Sequence, residues 1–202
     1  MKKPLIAIVA VASLCVAASG AAHAQDFKEG TLLVRARAVH LDSANKDSTG
    51  LGLAINNKTL PEVDFSYFFN RNIAAELILT VPQKQTLSSN GVDIGSLRHL
   101  PPTLTLQYHF DTAYGIKPYL GAGINYTRFS SVNVLGGAAD VKRNSFGPAL
   151  QVGVDIPLAD KLYLNVDLKK VFIQTDVSAG GTQLGTFKVD PLLLSVGLGW
   201  RF

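Results

Sequence analysis

The chain closes on V-D-P-L-L-L-S-V-G-L-G-W-R-F, residues 189–202, and the reading of this stretch decides the fold. Leu192, Leu194, Val196, Leu198, Trp200 and Phe202 occupy every second position, with Pro191, Leu193, Ser195, Gly197, Gly199 and Arg201 between them. A period of two belongs to a β-strand and not to a helix. One face is apolar throughout while the other ends in Gly, Gly and Arg, so the apolar face is expected to point outward. A soluble sandwich could bury the same face, and this strand alone does not separate the two.

The ends of the chain do. Ser195-x-Gly197-x-x-Trp200-x-Phe202 resembles the polar-x-Gly-x-x-aromatic-x-aromatic signal read by the machinery that folds outer-membrane β-barrels, which makes that machinery an expected partner. At the other end, Lys2 and Lys3, the apolar run Leu5–Ala18 and Ala22-His23-Ala24 form a secretory signal with an A-x-A cleavage site. The apolar run is too short for a spanning helix. Residues 1–24 are therefore expected to be removed, leaving one domain over residues 25–202. A lipoprotein signal ending at Cys15 fits less well, because Leu14 stands where Gly or Ala is preferred. Cys15 is the only cysteine and leaves with the signal, so the mature chain has no disulfide and no thiol ligand or nucleophile. Loss of Lys2 and Lys3 also lowers the formal net charge from +4 to +2, and no Lys/Arg cluster marks a nucleic-acid site.

Working back from the terminal strand, seven more alternating segments precede it, over residues 31–41, 60–69, 73–81, 101–110, 117–129, 145–156 and 162–175. The connections run long, short, long, short, long, short, long. Outer-membrane barrels have this asymmetry, with short periplasmic turns, long external loops and an even strand number. The expected fold is all-β, an eight-stranded antiparallel transmembrane barrel of a Gram-negative outer membrane. Both termini are expected on the periplasmic side, with outer-membrane lipid and lipopolysaccharide as surroundings. Tyr67, Phe69, Tyr108, Phe110, Tyr119, Trp200 and Phe202 lie near the short turns, where an interfacial aromatic girdle belongs. Lys170 interrupts the seventh alternation, which predicts a bulge or the membrane rim there. A soluble eight-stranded calyx would carry the same alternation with its apolar face inside.

The polar faces supply Arg35, Arg37, Lys169 and Arg201 against Glu62, Asp64, Glu76, Asp155 and Asp167, with Gln107, His109, Asn125, Gln151 and Asn165 as neutral partners. An eight-stranded interior is just wide enough for side chains to fill. These groups are expected to pair with one another and shut the lumen to bulk water and ions. His40, His99 and His109 are scattered, and no Ser, His and Asp are spaced as nucleophile, base and orienting acid, so neither an enzyme nor a metal site is expected. No cofactor is implied. Proline donates no ladder hydrogen bond. Pro82, Pro101 and Pro102 therefore weaken strand pairing where the second long loop joins the wall, either as plain strand punctuation or as a lateral opening into lipid. Leu51, Leu53, Ile55, Leu87, Val92, Ile94, Leu97, Val132, Val134 and Leu135 give the long loops apolar side chains that could line a funnel above the polar plug. The period-two spacing of Leu51, Leu53 and Ile55 suggests that the strands continue beyond the bilayer.

Three stretches carry a family resemblance: Leu100-Pro-Pro-Thr-Leu-Thr-Leu-Gln-Tyr-His-Phe110, Lys117-Pro-Tyr-Leu-Gly-Ala-Gly-Ile-Asn-Tyr-Thr127, and Asp190-Pro-Leu with Gly197-Leu-Gly-Trp-Arg-Phe202. The chain resembles the outer membrane protein W (OmpW) family over essentially its whole length. The resemblance implies an eight-stranded barrel with a hydrophobic upper channel that passes small hydrophobic molecules across the lipopolysaccharide layer and sideways into the membrane. It also implies a receptor role for phage or bacteriocins in some members. The family's gating residues lie in loops, and no gate residue is carried over. The expected function is a passive outer-membrane channel for small hydrophobic solutes. The alternative is a non-conducting structural or stress-response barrel whose external loops bind partners.

Overall fold

The computed structural model describes residues 26–112 and 115–202. The expected signal segment, residues 1–24, lies outside the described residues. Numbered in chain order, fifteen strands join one sheet. Eight form the wall: β1 (Leu32–Asp42), β4 (Lys58–Phe68), β5 (Ile73–Thr80), β8 (Thr103–His109), β9 (Lys117–Val134), β11 (Asn144–Pro157), β12 (Leu162–Val171) and β15 (Leu192–Arg201). Seven others extend the sheet at the long-loop end: β2 (Lys46–Asp47), β3 (Leu53–Ile55), β6 (Gln83–Ser89), β7 (Val92–Leu100), β10 (Ala139–Val141), β13 (Gln174–Ala179) and β14 (Thr182–Lys188).

Each wall strand pairs antiparallel with the next, β1 through β4, β5, β8, β9, β11 and β12 to β15. The ladder from Leu33↔Arg201 to Asp42↔Leu192 then returns β15 to β1 and closes an eight-stranded barrel. Phe202 completes the seam, its N–H donating to the Leu32 carbonyl at 2.8 Å. Closure removes every free edge from the wall.

Alternation decides which side chains go where, and the outward set is the apolar one. Leu106 is 58% exposed, Leu150 53%, Leu194 51% and Trp200 48%, while Arg35, Asp64, Glu76 and Asp155 on the opposite faces are fully buried. A continuous exposed apolar band of this extent requires lipid around it, and the soluble calyx with its apolar face inside is thereby excluded. Near the short turns, Tyr67 stacks edge-on against Phe69 at 5.6 Å and Tyr108 against Phe110 at 5.0 Å, as a girdle would. Tyr119 does not join them. It shares the parity of Gly121 and Gly123, points into the barrel and is 1% exposed.

The four long connections are mostly sheet. β9 alone runs 18 residues, about 60 Å at ~3.3 Å per residue, well beyond an apolar band ~25 Å tall. The β6–β7 hairpin turns on Asn90 and Gly91, both at positive φ, and β13–β14 turns on Gly180 and Gly181 in the same way. Two consecutive positive φ angles make the tight hairpin turn that matches strand twist. Of the two readings for Lys170, the bulge is absent: its pairing with Leu192 continues the β12–β15 ladder without a shift, its amine turns to the Asp190 carbonyl, and β12 ends one residue on at Val171. Local register shifts fall instead in the extensions, between Leu87 and Ser88 and between Val177 and Ser178.

Candidate functional site

From the short-turn end upward, the lumen is built in layers. The lowest is an aromatic stopper, formed where residues 26–30 fold back into the barrel mouth. Phe27 packs on Phe68 at 4.3 Å, Tyr163 at 5.4 Å and His109 at 5.7 Å, while Asp26 receives the Lys117 amine at 2.9 Å. Phe27 is buried there, although Asp26, Lys28 and Glu29 around it are polar. Lys117 also reaches Asp111 at 2.6 Å, and this hydrogen bond, with another from Asn72, holds the Asp111 carboxyl below the usual aspartate range.

Above it lies the polar plug. Arg35 grips Asp155 with two nitrogens at 3.0 and 2.7 Å and donates to Asp64 at 2.8 Å and Ser66 at 2.7 Å. Arg37 meets Glu62 at 2.8 Å, Asp64 at 2.9 Å and Glu76 at 3.2 Å. Lys169 lies 3.3 Å from Glu62, and Gln151 donates to Glu76 at 2.9 Å. Asn165 bridges Arg37 and Asp155, and Gln107 meets His109 at 2.9 Å. Tyr119, absent from the sequence-based set, donates to Asp167 at 2.9 Å, and Thr105 donates to Glu76 at 3.0 Å.

Two expected members stand elsewhere. Arg201 sits at the short-turn end, where it donates to the Asp160 carbonyl at 3.1 Å. Asn125 belongs to the layer above. The plug therefore sets three cations against five carboxylates. Burying ions is costly unless their partners are close and geometrically matched, and this lattice supplies such partners across the whole width of the lumen.

That upper layer borders a break in the wall. The last β5–β8 rung is Ile78↔Thr103 and the first β6–β7 rung is Gln83↔His99. Between them, residues 79–82 and 100–102 face each other without a ladder, at the three prolines singled out from the sequence. Inward side chains cap carbonyls at this break, although that of Pro102 also accepts the Tyr126 N–H at 3.1 Å. Asn125 donates to Pro101 and Pro102, each at 3.1 Å, and Gln83 donates to Val81 at 2.8 Å. A narrow cavity of about 30 Å³ backs onto this window, lined by Ile78, Thr80, Gln83, His99, Pro101, Thr103 and Asn125 on that side.

The uppermost layer is apolar. Leu51, Leu53, Ile55, Leu87, Ile94, Leu97, Val134 and Leu135 all line one chamber inside the extensions. Phe129, Val141, Val177, Phe187 and Val189 complete it. Val132 packs against this cluster, whereas Val92 points away and is 67% exposed. Val177 and Phe187 lie in the connection 176–188, expected as a loop, where the even spacing of Thr175-x-Val177 and Phe187-x-Val189 is the strand signal. The chamber retains about 20 Å³ of open space, about enough for one water, so any larger guest must displace side chains. His99 lines both the chamber and the cavity below. Burial, with Lys58 adding to it, pushes its imidazole down to about 4.

The residues of the expected assembly signal occupy the seam strand. Trp200 and Phe202 face outward, and Ser195 faces the lumen. Gly197 lies where a Cβ would come within 2.1 Å of the Ala36 carbonyl oxygen, so close packing of β1 on β15 needs glycine there whatever else reads it.

Comparison with known proteins agrees with this architecture. An outer-membrane protein of Sinorhizobium fredii, y4mB, is 43% identical over 76% of this chain and 70% of its own. Outer membrane protein W of Vibrio cholerae is 34% identical over 87% of this chain and 90% of its own. The dibenzothiophene metabolism operon protein PahQ of Pseudomonas aeruginosa is 32% identical over 69% of each chain. In fold, the crystal structure of OprG from Pseudomonas aeruginosa superposes with a TM-score of 0.76 at 24% identity, covering 89% of this chain and 99% of that one. The OmpW family profile matches residues 28–202. With an eight-stranded, lipid-facing barrel and a family match over nearly all of its described length, this chain belongs to the OmpW family of outer-membrane proteins.

Proposed function

We propose that the protein is a passive outer-membrane channel for small hydrophobic molecules, which enter the apolar chamber from outside and leave sideways through the unpaired window. The observation that carries this reading is an apolar chamber stacked above a closed polar plug, with the break in the wall between them. A solute that reaches the chamber meets a charged floor it cannot cross, and the side exit at Pro82, Pro101 and Pro102 leads to lipid. The mechanism is partition, not turnover: lipopolysaccharide sugars resist apolar solutes, and an apolar protein path bypasses them. The long-loop end faces outward in this reading, with both termini in the periplasm after removal of residues 1–24. Dibenzothiophene, for which the PahQ operon is named, is a flat, apolar heteroaromatic of the chemical class such a chamber would accept.

The test is uptake of a small hydrophobic fluorophore into proteoliposomes with a lipopolysaccharide outer leaflet, with single-channel current recorded on the same preparation. Solute flux with little ion current is expected. Combining Leu51→Asp with Leu53→Asp puts two carboxylates into the chamber, and uptake should fall toward the protein-free rate while the barrel remains folded. Unchanged uptake in that variant would remove the chamber from the path. A steady ion current in the parent protein would mean that the plug is open. Absence of both signals would favour a closed surface barrel whose loops bind partners.

A further inference from the structure

Among the described residues, two side chains of the upper lumen have buried polar atoms without a hydrogen-bond partner: Thr80 at the window, and Gln85 above it, whose amide leaves both its nitrogen and its oxygen unmet. Gln85 lies at the centre of β6, opposite Leu97 of β7, with Gln83 below and Leu87 above on the same face. Gln83 lines the cavity at the window and Leu87 lines the apolar chamber. Side chains two apart on a strand share a face, so Gln85 points into the lumen at a level between the two spaces, whose linings it does not itself join. It is fully buried, and neither its amide nitrogen nor its amide oxygen makes a hydrogen bond.

The neighbouring amides behave differently. Gln83 caps the Val81 carbonyl and Asn125 caps the carbonyls of Pro101 and Pro102. Those two groups have structural work at the window, and Gln85 has none. An apolar residue of similar size would fill the same place without leaving buried polar atoms unpaired. His99, across the hairpin from Gln83, adds a second polar group facing both spaces.

We propose that Gln85 is a recognition point for the polar head of the transported solute, so that the passage favours apolar molecules carrying one neutral group able both to donate and to accept a hydrogen bond. A primary amide offers two N–H donors and a carbonyl acceptor, which suits an alcohol, a phenol or a carboxamide. The apolar body of the solute occupies the chamber, and its head sits at the level of the window, where sideways release begins. A pure hydrocarbon would leave the amide unpaired and so be held less well. The inference rests on the channel reading above, because it needs the chamber to be occupied by solute.

The experiment compares 1-naphthol with naphthalene, which share a ring system and differ in one hydroxyl. Binding of each to the barrel in lipid nanodiscs is followed by intrinsic fluorescence, with binding to protein-free discs subtracted. The parent protein is expected to hold 1-naphthol about fivefold more tightly than naphthalene, the gain of one neutral hydrogen bond. Gln85→Leu should bring the ratio close to one, through loss of 1-naphthol affinity with naphthalene retained. If Gln85→Leu does not fold, Gln85→Met makes the same comparison with an unbranched side chain. A ratio unchanged by the substitution, with naphthalene still bound, overturns the recognition point alone. Failure of the parent protein to bind either probe saturably overturns the channel reading, and this inference with it.

Discussion

Single residues divide the lumen by what each can leave unpaired. Arg35 is tolerated at full burial because Asp64, Asp155 and Ser66 take its donors on three sides. Removing one partner of such a buried pair typically costs 3–5 kcal/mol, because the other charge stays buried. His99 has the opposite logic, since it is buried as a neutral ring. Its folded pKa lies at about 4, below the usual 6.5, so the unfolded chain binds the proton first as pH falls. Its contribution is intact above pH 6.5 and is lost progressively as the medium acidifies toward pH 4. At about 1.4 kcal/mol per unit, the loss reaches about 3 kcal/mol at pH 4. Urea unfolding at pH 7.5 and pH 4.5 should therefore show a larger acid destabilisation in the parent protein than in His99→Leu. Equal acid sensitivity would assign the effect to other groups.

The element that matters most is the β5–β6, β7–β8 hairpin, a continuous pair of strands interrupted once. Pro82 and the Pro101-Pro102 pair supply no N–H donors at the interruption, and the carbonyls there are held by Asn125 and Gln83. Replacing Pro101 and Pro102 together by valine returns an N–H donor at residue 101 and β-favouring side chains to that edge. The ladder can then run from Thr103 toward Leu100. Such a variant is expected to unfold at higher denaturant and to pass the hydrophobic fluorophore more slowly than the parent protein. Faster or equal passage would place the exit elsewhere. The aromatic stopper at the opposite end, with Asp26 held by Lys117, gives the plug a floor that solvent does not reach at Phe27.

At the scale of the whole molecule, the barrel depends on its seam. Phe202 makes the last pair of backbone hydrogen bonds with Leu32, and Trp200 and Phe202 present their rings outward at the short-turn end. Deleting Phe202 removes that rung together with the terminal residue of the proposed assembly signal. The truncated chain is expected to insert poorly and be degraded in the periplasm, which membrane fractionation and the heat-dependent gel shift of folded barrels would reveal. Normal levels of folded protein in the membrane would remove the signal reading and leave the seam as a dispensable rung.

Much of this protein is set by local pattern. Alternation along Leu192–Phe202 and its seven counterparts specifies strand and face, because side chains on a pleated strand must alternate whatever lies around them. The same parity places Arg35, Glu76 and Asp167 inside and the lipid-facing leucines outside, and eight of the ten expected funnel residues line one chamber, with Val132 packed against it and Val92 turned away. It would equally have placed Tyr119 inside, had parity been weighed above its nearness to a short turn. The side facing lipid was left open by the terminal strand alone, and the exposure of the apolar set on the outside of the closed wall settled it. Tertiary structure alone decided the rest. Phe27 becomes a stopper only because the closed barrel offers it Phe68, Tyr163 and His109, and Arg201 leaves the plug because Asp160 is nearer in space. Gln85 stays unpaired because Asn125, alike in sequence terms, finds the Pro101 and Pro102 carbonyls on the neighbouring strand and Gln85 finds none. Which buried polar group finds a partner depends on distances between strands far apart in the chain, and no periodicity within one strand contains them.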